Sequence, residues 1–147
     1  MNNHILNTMN IRISLITVSL FLSACGVQQT DIHSMDRETK DYESALIENM
    51  DQAELMQYLN LLASEMNLAT ENGLFVEMHH IEIALTKAFN ALEAIAPATA
   101  KSNLDTLKVV ALKIHGAGHD QNKSMAGTLN KTLQDQLERL QKNLNAN

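Results

Sequence analysis

Residues 51–73 read DQAELMQYLNLLASEMNLATENG, a sequence that predicts one long amphipathic helix. Asp51 and Glu54 have the spacing of a capping box, which predicts that a helix begins there. Gly73 is the residue type that commonly follows the last turn of a helix. Between these ends, apolar residues recur at steps of 4, 3, 4 and 3 and form one stripe, namely Leu55, Leu59, Leu62, Met66 and Ala69.

Three further segments repeat this pattern. The second is predicted to end before Pro97, because proline lacks the N–H that a helix interior needs. Its apolar stripe comprises Leu74, Met78, Ile81, Leu85, Ala88, Leu92 and Ile95. The third is expected to be capped by Ser102 and to break or fray at Gly116 and Gly118, and its stripe comprises Leu104, Leu107, Ala111 and Ile114. The fourth carries Met125, Leu129, Leu133, Leu137, Leu140 and Leu144.

Amphipathic helices joined by short links bury their stripes most simply against one another. The sequence therefore predicts an all-α fold, an antiparallel bundle of three to four helices over residues 41–147. Residues 41–50 are expected to form a short helix or an N-terminal extension of the next one.

The N-terminal residues 1–24 have the features of a cleaved signal peptide. Arg12 supplies a positive charge, and the apolar residues 13–22 are too few to span a bilayer permanently. The sequence Leu22-Ser23-Ala24-Cys25 resembles the lipobox of bacterial lipoproteins, which implies cleavage before Cys25 and lipidation of its thiol. Translation could equally start at Met1 or at Met9.

Cys25 is the only cysteine, so an intramolecular disulfide and a cluster of thiolate ligands are both excluded. Acyl chains on Cys25 would make membrane lipid the first partner. Gly26 in the next position is, by resemblance to the enterobacterial sorting pattern, typical of outer-membrane lipoproteins that face the periplasm. Residues 25–40 are polar, lack apolar periodicity and are predicted to form a flexible tether.

The charge of the chain argues against nucleic acid as a partner. The 11 basic and 17 acidic residues include only Arg12 within the predicted signal peptide, which leaves the mature chain with a formal charge of −7. Phosphate binding requires clustered lysine and arginine residues, and the basic residues here form no run.

Four histidines are the candidate metal ligands, His79 and His80 in the second helix and His115 and His119 at the end of the third. His115 and His119 are four residues apart, a spacing that places two imidazoles on one face of a continuous helix. Because consecutive helices of a bundle run antiparallel, both pairs are expected at one end, where they could bind a divalent transition metal such as Zn²⁺, Cu²⁺ or Ni²⁺.

Glu77 and Asp120 are expected to supply carboxylates to such a site, whereas His33 in the tether is expected to lie apart from it. The alternative interpretation is that these histidines are solvated residues at helix ends.

No catalytic motif is present, which predicts that the protein is not an enzyme. Two functions remain open. One is a membrane-anchored lipoprotein whose bundle has a structural role or docks on an envelope protein, and the other is a periplasmic metal-binding module. An exposed apolar strip on one helix would favour the first, and converging imidazoles would favour the second.

The dipeptides Met78-His79 and Ile114-His115 resemble a family of small, uncharacterised periplasmic helical proteins of Gram-negative bacteria, over roughly residues 51–120. Members of that family carry an apolar residue followed by histidine in each of these helices, which would carry over to His79 and His115. The position after the first turn of the second helix, which is often aromatic in that family, is Ile83 here. The family has no assigned activity, so the resemblance implies a fold and a compartment.

The architecture is also similar to that of four-helix periplasmic cytochromes. The c-type members require Cys-x-x-Cys-His, which this chain lacks. The b-type member uses a methionine on the first helix, where Met56 or Met66 could serve, and a histidine on the last. No histidine follows His119, so this similarity does not extend to a haem site.

Overall fold

The computed structural model describes residues 31–35 and 37–146, so the predicted signal peptide and Cys25 lie outside the described residues. The prediction of an all-α bundle is confirmed, and the number of long helices is four. These are α1 (Gln52–Asn72), α2 (Phe75–Ile95), α3 (Lys101–His119) and α4 (Lys123–Asn145). Short 3₁₀ turns occupy Asp41–Ser44, Ile47–Asn49 and Ala98–Ala100.

The ends of α1 and α2 form as their sequences predict. Asp51 Oδ1 accepts a hydrogen bond from the Glu54 N–H, and Glu54 Oε2 accepts one from the Asp51 N–H, each at 2.9 Å. Gly73 has φ +67°, a left-handed conformation that glycine adopts without steric cost. Helix α2 ends at Ile95, two residues before Pro97.

Helix α3 differs from its prediction at both ends. It begins at Lys101 after a 3₁₀ turn and has no side-chain cap, so Ser102 lies inside the helix. It also continues through Gly116 and Gly118 to His119. Gly118 is buried close to α2, where a Cβ atom would lie 3.9 Å from Met78 Cε. Packing against α2 therefore outweighs the cost of roughly 1 kcal/mol per helical glycine.

The predicted apolar stripes meet in one core. The largest fully buried side chains come from α1, α2 and α3 and include Phe89, Leu59, Met66, Met78, Ile81 and Leu104. Each helix packs on its neighbours in the chain, and α4 also packs on α1, which closes the bundle. In the described part of the chain, no helix is both long enough and apolar enough to cross a membrane.

The segment before the bundle is ordered against it, which the sequence did not predict. We call residues 31–35 and 37–40 the strap. Ile32 in the strap is only 3% exposed although its neighbours are polar. Arg37 forms ion pairs with Glu43, at 2.7 Å, and with Glu77 of α2, at 3.2 Å. These contacts fix residues that were expected to belong to the flexible tether.

Residues 41–50 form two 3₁₀ turns in place of the expected short helix. Tyr42 in the first turn is buried and donates a hydrogen bond from its hydroxyl to Glu77. Its carbonyl oxygen accepts a hydrogen bond of 2.6 Å from the Tyr58 hydroxyl of α1. These turns therefore join the strap to both α1 and α2.

Candidate metal site

His79 and His115 meet where the start of α2 crosses the end of α3. Their Nδ1 atoms are 3.0 Å apart, and the centres of their rings are separated by 4.8 Å. The antiparallel packing of α2 and α3 brings the two rings together, as the sequence predicted. Because both are carried by long helices, their separation is set by the core of the bundle.

Glu82 supplies a carboxylate to this pair. Its Oε2 atom lies 3.3 Å from His115 Nδ1, and its other oxygen accepts a hydrogen bond of 2.9 Å from the Thr86 hydroxyl. Outer hydrogen bonds of this kind orient a carboxylate ligand. Since Glu82 is one helical turn after His79, both project from the same side of α2. We call His79, Glu82 and His115 the helix set.

The other ring nitrogen of His115 faces a second group. His119 Nε2 lies 2.9 Å from His115 Nε2, which is possible because α3 does not break at its glycines. His33 of the strap joins them, with its ring centre 4.9 Å from that of His119. We call His33, His115 and His119 the strap set, and the expectation that His33 lies apart from the other histidines is wrong.

The ligand atoms within each set lie within 4.8 Å of one another. A tetrahedral ion with bonds of about 2.0–2.1 Å requires ligand atoms separated by about 3.3 Å. The separations of 2.9, 3.0 and 3.3 Å between the atoms that face one another are close to this value. Either set could therefore hold one divalent ion with small side-chain movements and leave a further coordination position for water.

Burial, and after it repulsion from neighbouring imidazoles, lower the pKa of His79 from 6.5 to about 4. The neighbours that contribute are His115, His33, His80 and His119. An imidazole binds a metal through the lone pair of a neutral ring, so a low pKa keeps His79 ready to bind at neutral pH.

The remaining predicted residues lie outside both sets. His80 is 8% exposed, and its Nε2 lies 3.2 Å from the Ser34 carbonyl oxygen. Glu77 binds Arg37 and Tyr42, as described above. Asp120 ends α3, where its N–H donates a hydrogen bond to the Gly116 carbonyl. Three of the four predicted histidines therefore converge, and His80 contacts the strap.

Sequence reasoning missed Glu82 and His33 for different reasons. Glu82 was detectable, because its spacing of three residues from His79 places both on one helix face. His33 carried no such signal. Its only hint is Ile32, an apolar residue in a polar segment, which indicates burial without naming the surface that buries it.

Comparison with protein-family models, with curated proteins and with solved structures found no match.

Proposed function

We propose that this protein binds a divalent transition metal at the end of its bundle where α2 begins and α3 ends. The observation that carries the proposal is the short distance between His79 Nδ1 and His115 Nδ1, with Glu82 Oε2 beside them. Two imidazoles and one carboxylate form a donor set that suits zinc and its neighbours in the first transition row. The nitrogen ligands disfavour magnesium and calcium, which prefer oxygen.

The burial of the helix set favours this proposal over the alternative interpretation, in which the histidines are solvated residues at helix ends. His79, Glu82 and His115 are all partly buried, and the Glu82 side chain is only 13% exposed. Histidines that merely end helices have no need of a carboxylate held by a second hydrogen bond, as Glu82 is by Thr86.

The proposal includes the cellular localisation that the sequence predicts. Lipidation of Cys25 would tether this metal-binding bundle to a bacterial envelope membrane, with the outer membrane facing the periplasm as the predicted site. Docking on an envelope protein remains the alternative role. Among the described residues, exposed large apolar side chains number at most two on any one of the four long helices, so no helix presents a continuous apolar strip.

Calorimetric titration with Zn²⁺ tests the proposal. The full chain is used in detergent, as a Cys25→Ser variant and without a polyhistidine tag, so that neither a thiol nor a tag binds the metal. We expect one saturable site. The His115→Ala variant should lose at least about 100-fold in affinity, because even partners outside the first ligand shell contribute about 10–100-fold.

His80→Gln is the matched control, since His80 adjoins His79 in sequence but lies outside both ligand sets. Its affinity should fall far less than that of His115→Ala, because the helix set remains complete when the contact of His80 with Ser34 is lost. Binding no tighter than about millimolar, or an equal loss in His80→Gln and His115→Ala, would contradict the proposal.

A further inference from the structure

The strap contributes a ring to the histidine cluster through a tight turn. The Ser34 N–H donates to the Asp31 carbonyl at 3.1 Å, and the His33 N–H donates to Asp31 Oδ1 at 3.0 Å. This turn places the His33 ring 4.6 Å from the His79 ring, measured between centres. The position of His33 is therefore built into the local conformation of the strap.

The strap set offers three nitrogen ligands from two separate parts of the chain. His115 and His119 come from adjacent turns of α3, whereas His33 precedes the bundle. Three imidazoles with an open fourth position form a common zinc-binding arrangement. An ion bound there would bond the strap to α3, where the His33 ring already lies beside the rings of His115 and His119.

We propose that a metal ion bound by His33, His115 and His119 fastens the strap to the bundle. This inference rests on the proposed metal-binding function and adds a conformational role to it. Without metal, the strap is held by the burial of Ile32, the ion pairs of Arg37 and the contact between Ser34 and His80. The His33 side chain is 54% exposed, so these contacts leave it accessible to an incoming ion.

His115 makes the two ligand sets compete. Its Nδ1 faces the helix set, and its Nε2 faces His119 of the strap set. A neutral imidazole has one lone pair, because the other nitrogen carries a proton. One ion therefore binds His115 at a time, and removal of His33 leaves the helix set able to bind metal without fastening the strap.

Fastening the strap would bring the bundle close to the predicted lipid anchor. An extended chain spans at most about 3.3–3.6 Å per residue, so the six steps from Cys25 to Asp31 reach no more than about 20 Å. A released strap would extend that reach to Lys40. Metal binding would thus favour the state in which the bundle stays close to the membrane.

Hydrogen–deuterium exchange of the Cys25→Ser chain tests this inference. Exchange is followed with and without Zn²⁺ at about 100 times its Kd, and peptides from α4 serve as the internal reference. We expect zinc to bind the strap set at least about tenfold more tightly than the helix set. Linkage then predicts that zinc slows exchange of the strap amides by about tenfold or more, because release of the strap leaves only the helix set to bind the ion. Zinc affinity is measured on the same samples.

His33→Ala is the informative variant, and Met35→Ala is its matched control because Met35 is a strap residue that is 77% exposed. We expect His33→Ala to retain zinc binding through the helix set but to lose the slowing of strap exchange. Met35→Ala should behave as the parent chain. Zinc binding without slower strap exchange in the parent chain would overturn the strap inference and leave the proposed function standing. Failure of zinc to bind at all would overturn both.

Discussion

The two ends of the α2–α3 pair differ in the charged and titratable side chains that they bring together. At one end, Glu93 of α2 accepts hydrogen bonds from two lysines of α3, Lys101 at 2.7 Å and Lys108 at 2.6 Å. At the other end, His79 of α2 faces His115 of α3 at 3.0 Å. The first end pairs opposite charges, whereas the second brings together rings that would repel one another if protonated.

Under the proposed function, this difference separates the end that takes a ligand from the end that does not. At the Glu93 end, the carboxylate is paired with two ammonium groups of opposite charge. The hydrogen bonds from these two lysines lower the pKa of Glu93 to about 2. The histidine end has the reverse pattern, because burial and like neighbours lower the pKa of His79. A neutral imidazole offers one lone pair, which is what a divalent cation requires of a histidine ligand.

Zinc should stabilise the protein through the histidine end alone, and this is the largest expected effect. A ligand that binds only the folded state at about 100 times its Kd adds about 2.7 kcal/mol to the free energy of unfolding. We expect this gain in urea denaturation of the Cys25→Ser chain. His115→Ala should abolish the gain because both ligand sets contain His115.

Glu93→Gln is the control for this experiment, since it alters the opposite end of the same helix pair. The zinc-induced gain should be unchanged in Glu93→Gln. Loss of the gain in Glu93→Gln would mean that the two ends are not independent, and the comparison would fail.

Acid should destabilise the metal-free protein by an intermediate amount. Because folding lowers the pKa of His79 from 6.5 to about 4, the unfolded chain takes up this proton first as pH falls. Stability is therefore present above pH 6.5 and is lost as the pH falls to about 4. We expect a loss of about 1–2 kcal/mol, less than the full pKa shift implies because His79 is partly accessible to solvent.

Urea denaturation in the presence of a chelator, between pH 7 and pH 4, measures this loss. His79→Gln should show a shallower dependence on pH over the same range, because glutamine takes up no proton. An equally steep dependence in His79→Gln would assign the acid sensitivity to other groups.

The same comparison shows how far sequence reasoning reached. The meeting of His79 with His115 was predictable, because apolar stripes and a short link require α2 and α3 to run antiparallel. Glu82 was predictable from its spacing on α2. His33 was not, because its position depends on strap contacts such as that of Arg37 with Glu77, which is 40 residues away in the chain.

The prediction that α3 breaks at Gly116 and Gly118 was wrong. It rested on the low helix propensity of glycine alone. Gly118 is buried where α3 packs on α2, and this packing between two helices keeps α3 intact. Local rules therefore located the bundle and three of the five candidate ligands, and tertiary packing decided the rest of the arrangement.

Glu93→Gln should have the smallest effect, since the ion pairs that it removes lie at the surface, where water and salt weaken them. A carboxylate whose pKa is lowered by folding contributes stability that is present above about pH 4.5 and is lost as the pH falls toward 2. We therefore expect the variant to be slightly less stable than the parent chain at pH 7, and this gap to close in acid. Urea denaturation at pH 7 and in acid measures the difference in free energy of unfolding between the variant and the parent chain. Glu138→Gln, at an exposed position of α4, is the control that changes the charge by the same amount. A gap that widens in acid, or an equal loss in Glu138→Gln, would show that pairing with Lys101 and Lys108 contributes nothing specific, and the Glu93 end would no longer be the self-sufficient one.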